Sequence, residues 1–229
     1  AIGTFQGSLK DIQASELGTV VVKQSMKKSN LSSNDVDELI MGQVLTASAG
    51  QNPSRPTAIQ AGIPNEKTAY VINQVCGSGL RAIAAGFQSI VSNDSKIIIA
   101  GGQESMTNAP HALNFRNNEK LEETNLVDTM IKDGLWDAFN GYHMGVTAEN
   151  VAEKWGITRK EQDDFALSSQ TKAEMAQKKE NFKNEIIPTV LKSDEHPRKG
   201  MTIERLEKLK PSFKNNGTVT PGNASGIND

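Results

Sequence analysis

Cys76 is the only cysteine among 229 residues, and it stands in the stretch "NQVCGSGLRAIAAGFQSI", positions 73–90. A thiolate attacks a carbonyl carbon where a thiol does not. The flanking residues supply one way to favour the thiolate. The β-favouring run "TAYVIN" (68–73) ends just before Cys76, and a mostly apolar helical pattern runs from Leu80 to Val91. The sulfur then lies at a helix N-terminus, where free amides and the macrodipole favour negative charge. Gly77 and Gly79 remove side-chain bulk, so backbone and substrate can approach closely. The amides of this turn are candidates to bind the oxyanion of an attacked thioester. The pattern is that of a nucleophile elbow with Cys in place of Ser. Free cysteine is also among the most buried residue types. Residue types and spacing alone therefore leave a core thiol and a nucleophile evenly balanced.

Other polar residues carry weaker signals. His143, in "GYHMG", is where a general base would be sought; its plainer reading is a hydrogen-bonded loop histidine. His111 and His196 fall in loop-like stretches and receive no role. No His/Cys cluster has metal-ligand spacing. "GGQES" and "CGSG" are Gly-rich but lack the Lys and spacing of a phosphate loop.

The elements that must position these residues read as α/β. Ala14 to Lys27 is patterned as an amphipathic helix, "LIMGQVL" (39–45) as a buried strand, and Ser32 with Asp35 as a weak helix start. The stretch 48–64 reads as a loop and a helix entered near Pro56, closed by Gly62 and Pro64. "KIIIAGG" (96–102) reads as a central strand. Strand, helix and strand over 68–102 have the size of a βαβ unit. Residues 107–123 are polar and irregular, which sets a boundary near 105. Beyond it, helices are expected from Thr147, over Arg159 to Lys179 behind a Thr158/Glu161 capping box, and over Thr202 to Lys210. "EIIPTVL" (185–191) suggests an edge strand because of Pro188.

Composition narrows the function classes. The net charge of −2 and pI near 6.0 give no reason to expect nucleic acid or an acidic membrane surface as partner. No apolar run approaches the 18 or so residues of a membrane-spanning helix. A single cysteine forms no internal disulfide, so a reducing, cytoplasmic setting is the expectation.

Four blocks occur together in order: "NQVCGSGLRA" (73–82), "AGGQESMTNAPH" (100–111), "GYHMGVTAEN" (141–150) and "GTVTPGNASGIND" (217–229). They resemble the thiolase family of acetyl-CoA acetyltransferases over nearly the whole chain. The resemblance implies an α/β thiolase-like fold: an N-terminal βαβαβαββ half of a layered α/β/α/β/α body, with an inserted loop domain over coenzyme A. On that reading residues 1–105 form most of the N-terminal half, and 106–229 form the loop domain and the start of the return to the core. The implied activity condenses two acetyl-CoA to acetoacetyl-CoA and CoA, or runs the reverse thiolysis, through an acyl-cysteine. Cys76 is then the acyl acceptor. No resident cofactor is implied, since coenzyme A is substrate and product.

The same resemblance assigns binding roles. His143 and Met144 would line the acyl and pantetheine pocket, Leu135 in "GLWDAF" would make an apolar CoA contact, Arg198 in "DEHPR" would meet the nucleotide, and Ser225 in "GNASG" would lie near the pantetheine amide. The "HMG" form is similar to short-chain members. Two other readings are a broader 3-ketoacyl-CoA thiolase, which His143 argues against, and a non-catalytic CoA- or lipid-binding module, which an intact Cys76 motif argues against. The family's base His, second Cys and oxyanion Asn belong to "GHP", "CxGGG" and "NEAFA" motifs that this sequence lacks. The chain is thus expected to be part of a longer protein, inactive by itself, that forms a homodimer or homotetramer when complete. The segment between "PTVLK" and "DEHPR" is shorter than is common in the family, and Pro221 stands where Ala is common.

Overall fold

Three consecutive apolar residues, Leu39, Ile40 and Met41, are fully or almost fully buried. Burial of each contributes about 1.5–3 kcal/mol. Burial on both faces defines a central strand, and they form the middle of β1 (Glu38–Gly42). The structure, a computed structural model, describes residues 1–114, 116 and 126–229. The chain divides into two compact units: residues 9–134 with Asp229, and residues 1–8 with 135–228. The sequence boundary at 105 follows chain texture, whereas the compact units divide after Gly134.

In the first unit β1 lies between β2 (Thr68–Ile72) and β3 (Ile98–Gly102), parallel to both. One face carries α1 (Ala14–Lys28) and α2 (Ser54–Gln60). Val22 and Met26 of α1 and Ala58 of α2 meet Leu39 and Met41 there, with Val36, Ala61 and Ile63 closing the core. The other face carries α3 (Ser78–Val91), where Gly86 lets Ile98, Ala100 and Ile40 pack close. The outer face of α3 keeps Leu80, Ile83, Phe87 and Ile90 exposed.

Buried polar groups hold the loops that leave the strands. Gln103, just past β3, donates to Gln43 Oε1 (2.9 Å) and accepts from Thr57 Oγ1 (2.8 Å); Gln43 donates to the Leu45 carbonyl (2.9 Å). Glu104 accepts from the Val44 and Leu45 amides. Burial pushes its carboxyl above the ordinary value while those amides pull against it. Asp229 accepts from the Thr107 amide and hydroxyl. The short strands β4 (His111–Ala112) and β5 (Val127–Asp128) pair antiparallel. Most of the polar stretch 107–123 beyond β4 lies outside the described residues.

The second unit holds a tight hairpin, β6 (Trp136–Asp137) and β7 (Tyr142–His143), followed by α4 (Met144–Trp155), α5 (Arg159–Lys178) and the short α6 (Ile203–Glu207). The Thr158/Glu161 capping box is present, with Glu161 accepting from the Thr158 amide at 2.7 Å. Buried Asp163 accepts from Arg159 Nε, and Arg159 also donates to the Leu206 carbonyl, which ties α5 to α6. Among the described residues no helix is long and apolar enough to cross a membrane.

Two expectations are corrected. Residues 185–191 form no strand: Pro188 lacks an amide, and the Thr189 amide turns back to the Leu191 carbonyl. The Ser32/Asp35 capping box starts only a single 3₁₀ turn, Ser33–Asp35, because the β-favouring residues after it enter β1.

One surface carboxylate ties β1, β2 and β3 together at their N-terminal ends. Asp37 accepts from the Lys96 amide (2.9 Å), Lys67 Nζ (3.0 Å) and the Ile97 amide (3.1 Å). These donors lower its pKa from 3.8 to about 2. A depressed folded-state pKa adds stability that is present above pH 3.8 and lost as the pH falls towards 2. Urea unfolding between pH 5 and about pH 2 is expected to show a smaller acid-induced loss for Asp37→Asn than for the unsubstituted chain.

Candidate active site

The peptide between β2 and α3 makes a sharp turn. Asn73 Oδ1 accepts from the Val75 amide (2.9 Å). Ser78 Oγ accepts from the Gln74 amide (2.8 Å) and donates to the Val75 carbonyl (2.6 Å). Val75 takes φ 48°, the left-handed region, which a β-branched residue adopts only under constraint. Cys76 follows that residue and is exposed. It is therefore not the core thiol that its residue type suggested.

Exposure of the sulfur results from where α3 begins. The Cα of Gly42, at the end of β1, abuts the first turn of α3: a Cβ there would meet Gly79 N and Ser78 C at 2.5 Å. Gly102, at the end of β3, approaches Gly79 Cα as well. The helix N-terminus thus rests directly on the C-terminal ends of two strands, with Cys76 in the turn above them. Of the turn amides that are candidates for an oxyanion, those of Gly77 and Ser78 donate to the Gln74 and Val75 carbonyls (both 3.1 Å). The amide of Cys76 itself has no such partner among the described residues.

The other five sequence-assigned residues belong to the second unit. Leu135 is half-buried and immediately precedes β6. Trp136 pairs with His143 across the hairpin, so Leu135 lies one residue from the His143 partner. Asp137 holds the turn by accepting from the Phe139 and Asn140 amides (both 2.8 Å), and Gly141 takes φ 72°. The Asn140 amide and side chain and the Phe139 amide hold the Asp137 carboxyl below its ordinary range. His143 caps α4: its Nδ1 accepts from the Gly145 amide at 3.0 Å. Met144 opens the helix and is partly exposed.

Arg198 is exposed; its amide donates to Gln170 Oε1 of α5 (3.0 Å). Ser225 is exposed in a loop fixed by Asn223, whose Oδ1 accepts from the Thr220 amide (2.8 Å) and whose Nδ2 donates to Asp163 (2.9 Å). His196 lies against Gly226 in that loop. Glu149, buried in α4, binds the segment before it by accepting from the Thr218 and Val219 amides and the Thr218 hydroxyl. Burial raises its pKa, but these donors outweigh the effect and the net shift is downward.

Sequence reasoning missed this support. Gly145, Glu149 and Glu153 recur at i, i+4 and i+8, one stripe of α4, and all three meet residues 213–219. The spacing was readable; the partner segment was not. Phe213 was missed as well. Among the described residues no group of three or more His, Cys, Asp or Glu could hold a metal ion.

The thiolase N-terminal domain family matches residues 1–229. The chain belongs to the thiolase family. It is 52% identical to the acetyl-CoA acetyltransferase of Rhizobium meliloti over 238 residues, covering all of this chain and 61% of that protein. It is 50% identical to the acetyl-CoA acetyltransferase of Shinella zoogloeoides at the same coverage. Among solved structures it superposes on the Acat5 thiolase of Ascaris suum in complex with coenzyme A, with TM-score 0.95 and 37% identity, over all of this chain and 60% of that one. The Bacillus anthracis acetyl-CoA acetyltransferase gives TM-score 0.94 at 38% identity. The chain thus spans about three fifths of the length of these relatives. The α/β fold inferred from the four blocks is the thiolase fold.

The Gly42 contact gives a direct test of the turn. Gly42→Ala is expected to cost about 1–3 kcal/mol, because backbone rather than a flexible side chain stands in the way. Urea unfolding measures it. Gly101→Ala, where a Cβ meets nothing within 4 Å, is the comparison and is expected to unfold close to the unsubstituted chain.

Proposed function

We propose that the protein containing this chain is a short-chain thiolase that condenses two acetyl-CoA to acetoacetyl-CoA and CoA, or runs the reverse thiolysis. The observation that carries this reading is the exposure of Cys76 on a constrained strand-to-helix turn, in a chain whose similar proteins are named acetyl-CoA acetyltransferases. The Cys76 thiolate attacks the thioester carbon, the carbon–sulfur bond to CoA breaks, and CoA leaves as the thiolate, giving an acyl-cysteine. A thioester forms and a thioester breaks, so both directions stay accessible. The Cys76 amide, which donates to no backbone carbonyl among the described residues, serves as one donor to the oxyanion that forms at the attacked carbon.

Residues 106–229 are read as the portion that covers coenzyme A. His143 and Met144 line the acyl and pantetheine pocket, and Leu135 makes an apolar contact with CoA. Arg198 meets the nucleotide with an exposed guanidinium, which suits phosphate and adenine alike. Ser225 meets the pantetheine amide. Coenzyme A is substrate and product, and no resident cofactor takes part. The exposed apolar face of α3 suits burial against a further layer of the same protein. The complete protein is proposed to be cytoplasmic, to act in lipid metabolism, and to form a homodimer or homotetramer.

Steady-state thiolysis by the full-length protein tests the proposal. Acetoacetyl-CoA is expected to be cleaved with higher kcat/KM than longer 3-ketoacyl-CoA. Cys76→Ala is expected to lower kcat by at least about 10³-fold while CoA still binds. Equal rates for long chains would favour a broad degradative thiolase, and full activity in Cys76→Ala would overturn the mechanism.

A further inference from the structure

His143 has two ring nitrogens, and only one is left for a ligand. Its Nδ1 accepts from the Gly145 amide at 3.0 Å. A hydrogen on Nδ1 would face that N–H donor, so the ring hydrogen belongs on Nε2. The Phe213 ring stacks on the imidazole, with centroids 4.9 Å apart and planes 17° from parallel. The same Phe213 ring occupies the space over Gly145 that any Cβ would need. One aromatic side chain therefore packs against both partners of the Nδ1 hydrogen bond.

Phe213 is itself held in place. The Ser212 amide donates to the Val219 carbonyl (3.0 Å), closing the loop that carries it. Glu149 of α4 fastens the far side of that loop through Thr218 and Val219, and Lys214 pairs with Glu153 of α4. Gly145, Glu149 and Glu153 are one stripe of the helix that His143 caps. The imidazole and the ring stacked on it are thus fixed to the same helix.

We propose that Phe213 is a positioning residue that holds His143 as the Nε2–H tautomer, so that His143 offers the bound CoA substrate a hydrogen-bond donor and not a proton acceptor. This rests on the assignment of His143 to substrate binding. His143→Asn separates the two functions of the ring, since its side-chain oxygen can accept from the Gly145 amide while the Nε2–H donor is gone.

The test combines ring-nitrogen NMR with kinetics on the full-length protein. Histidine ring ¹⁵N spectra are recorded for the unsubstituted protein, Phe213→Leu and Phe213→Tyr, with His143→Asn identifying the His143 signals by difference. A single Nε2–H tautomer is expected with Phe or Tyr at 213, and a tautomer mixture with Leu. Phe213→Leu is expected to lower kcat/KM for acetoacetyl-CoA by about 2- to 10-fold, with Phe213→Tyr restoring it. In Phe213→Leu/His143→Asn the two losses are expected to overlap rather than multiply. An unchanged His143 tautomer in Phe213→Leu, or losses that multiply in full, would overturn the proposal and leave Phe213 as a wall of the pocket. An unchanged kcat/KM in His143→Asn would instead overturn the binding role of His143, whatever the tautomer spectra show.

Discussion

No side chain fits between the end of β1 and the first turn of α3. Gly42 and Gly102 bring two strand ends against the backbone of Ser78 and Gly79, and this contact fixes where the helix starts. The start of the helix in turn fixes the turn before it. The chain must leave β2 at Ile72 and enter α3 at Ser78, and it does so by placing Val75 at φ 48° and closing the turn with Ser78 Oγ. Cys76 has no route into the core from there. Its exposure in this chain follows from a backbone contact made by the neighbouring strand, β1.

The second unit solves a related problem with side chains. The loop that carries Phe213 and the loop that carries Ser225 contain little regular structure, so their amides need acceptors. Glu149 supplies one set, and Asn223, anchored on Asp163, supplies another. The carboxylates behind both, Glu149 and Asp163, lie on helices that are well capped at their N-termini, α4 by His143 and α5 by Thr158. Structural and proposed substrate-binding roles therefore meet in His143, which caps a helix with one nitrogen and leaves the other for chemistry.

Much of this was legible in the sequence. The buried strand within 39–45, the βαβ unit, the α5 capping box and the four ordered blocks were readable because each depends on local spacing, whereas 96–102, expected to be central, holds β3 at one edge of the described three-stranded sheet and β1 is the central strand. Cys76 was legible as a candidate, but its exposure was not, since the deciding contact joins Gly42 to Gly79 across 37 positions. The start of α4 was placed at Thr147 and lies at Met144 because His143, an unusual capping residue, uses its ring nitrogen as the acceptor. Phe213 and His143 are 70 positions apart, and no local pattern announces a stack between them. The edge strand expected at 185–191 failed because alternation there is weak and Pro188 withholds the amide a ladder needs.

The central claim is that the exposed thiol at position 76 takes up the acyl group. The full-length protein, incubated with acetyl-CoA, quenched in acid and digested, gives peptides whose masses locate the group directly. An acetyl increment on the peptide carrying Cys76, absent when CoA is added in excess to reverse the transfer, is the predicted result. An unmodified Cys76 peptide from folded protein that still binds CoA would contradict it.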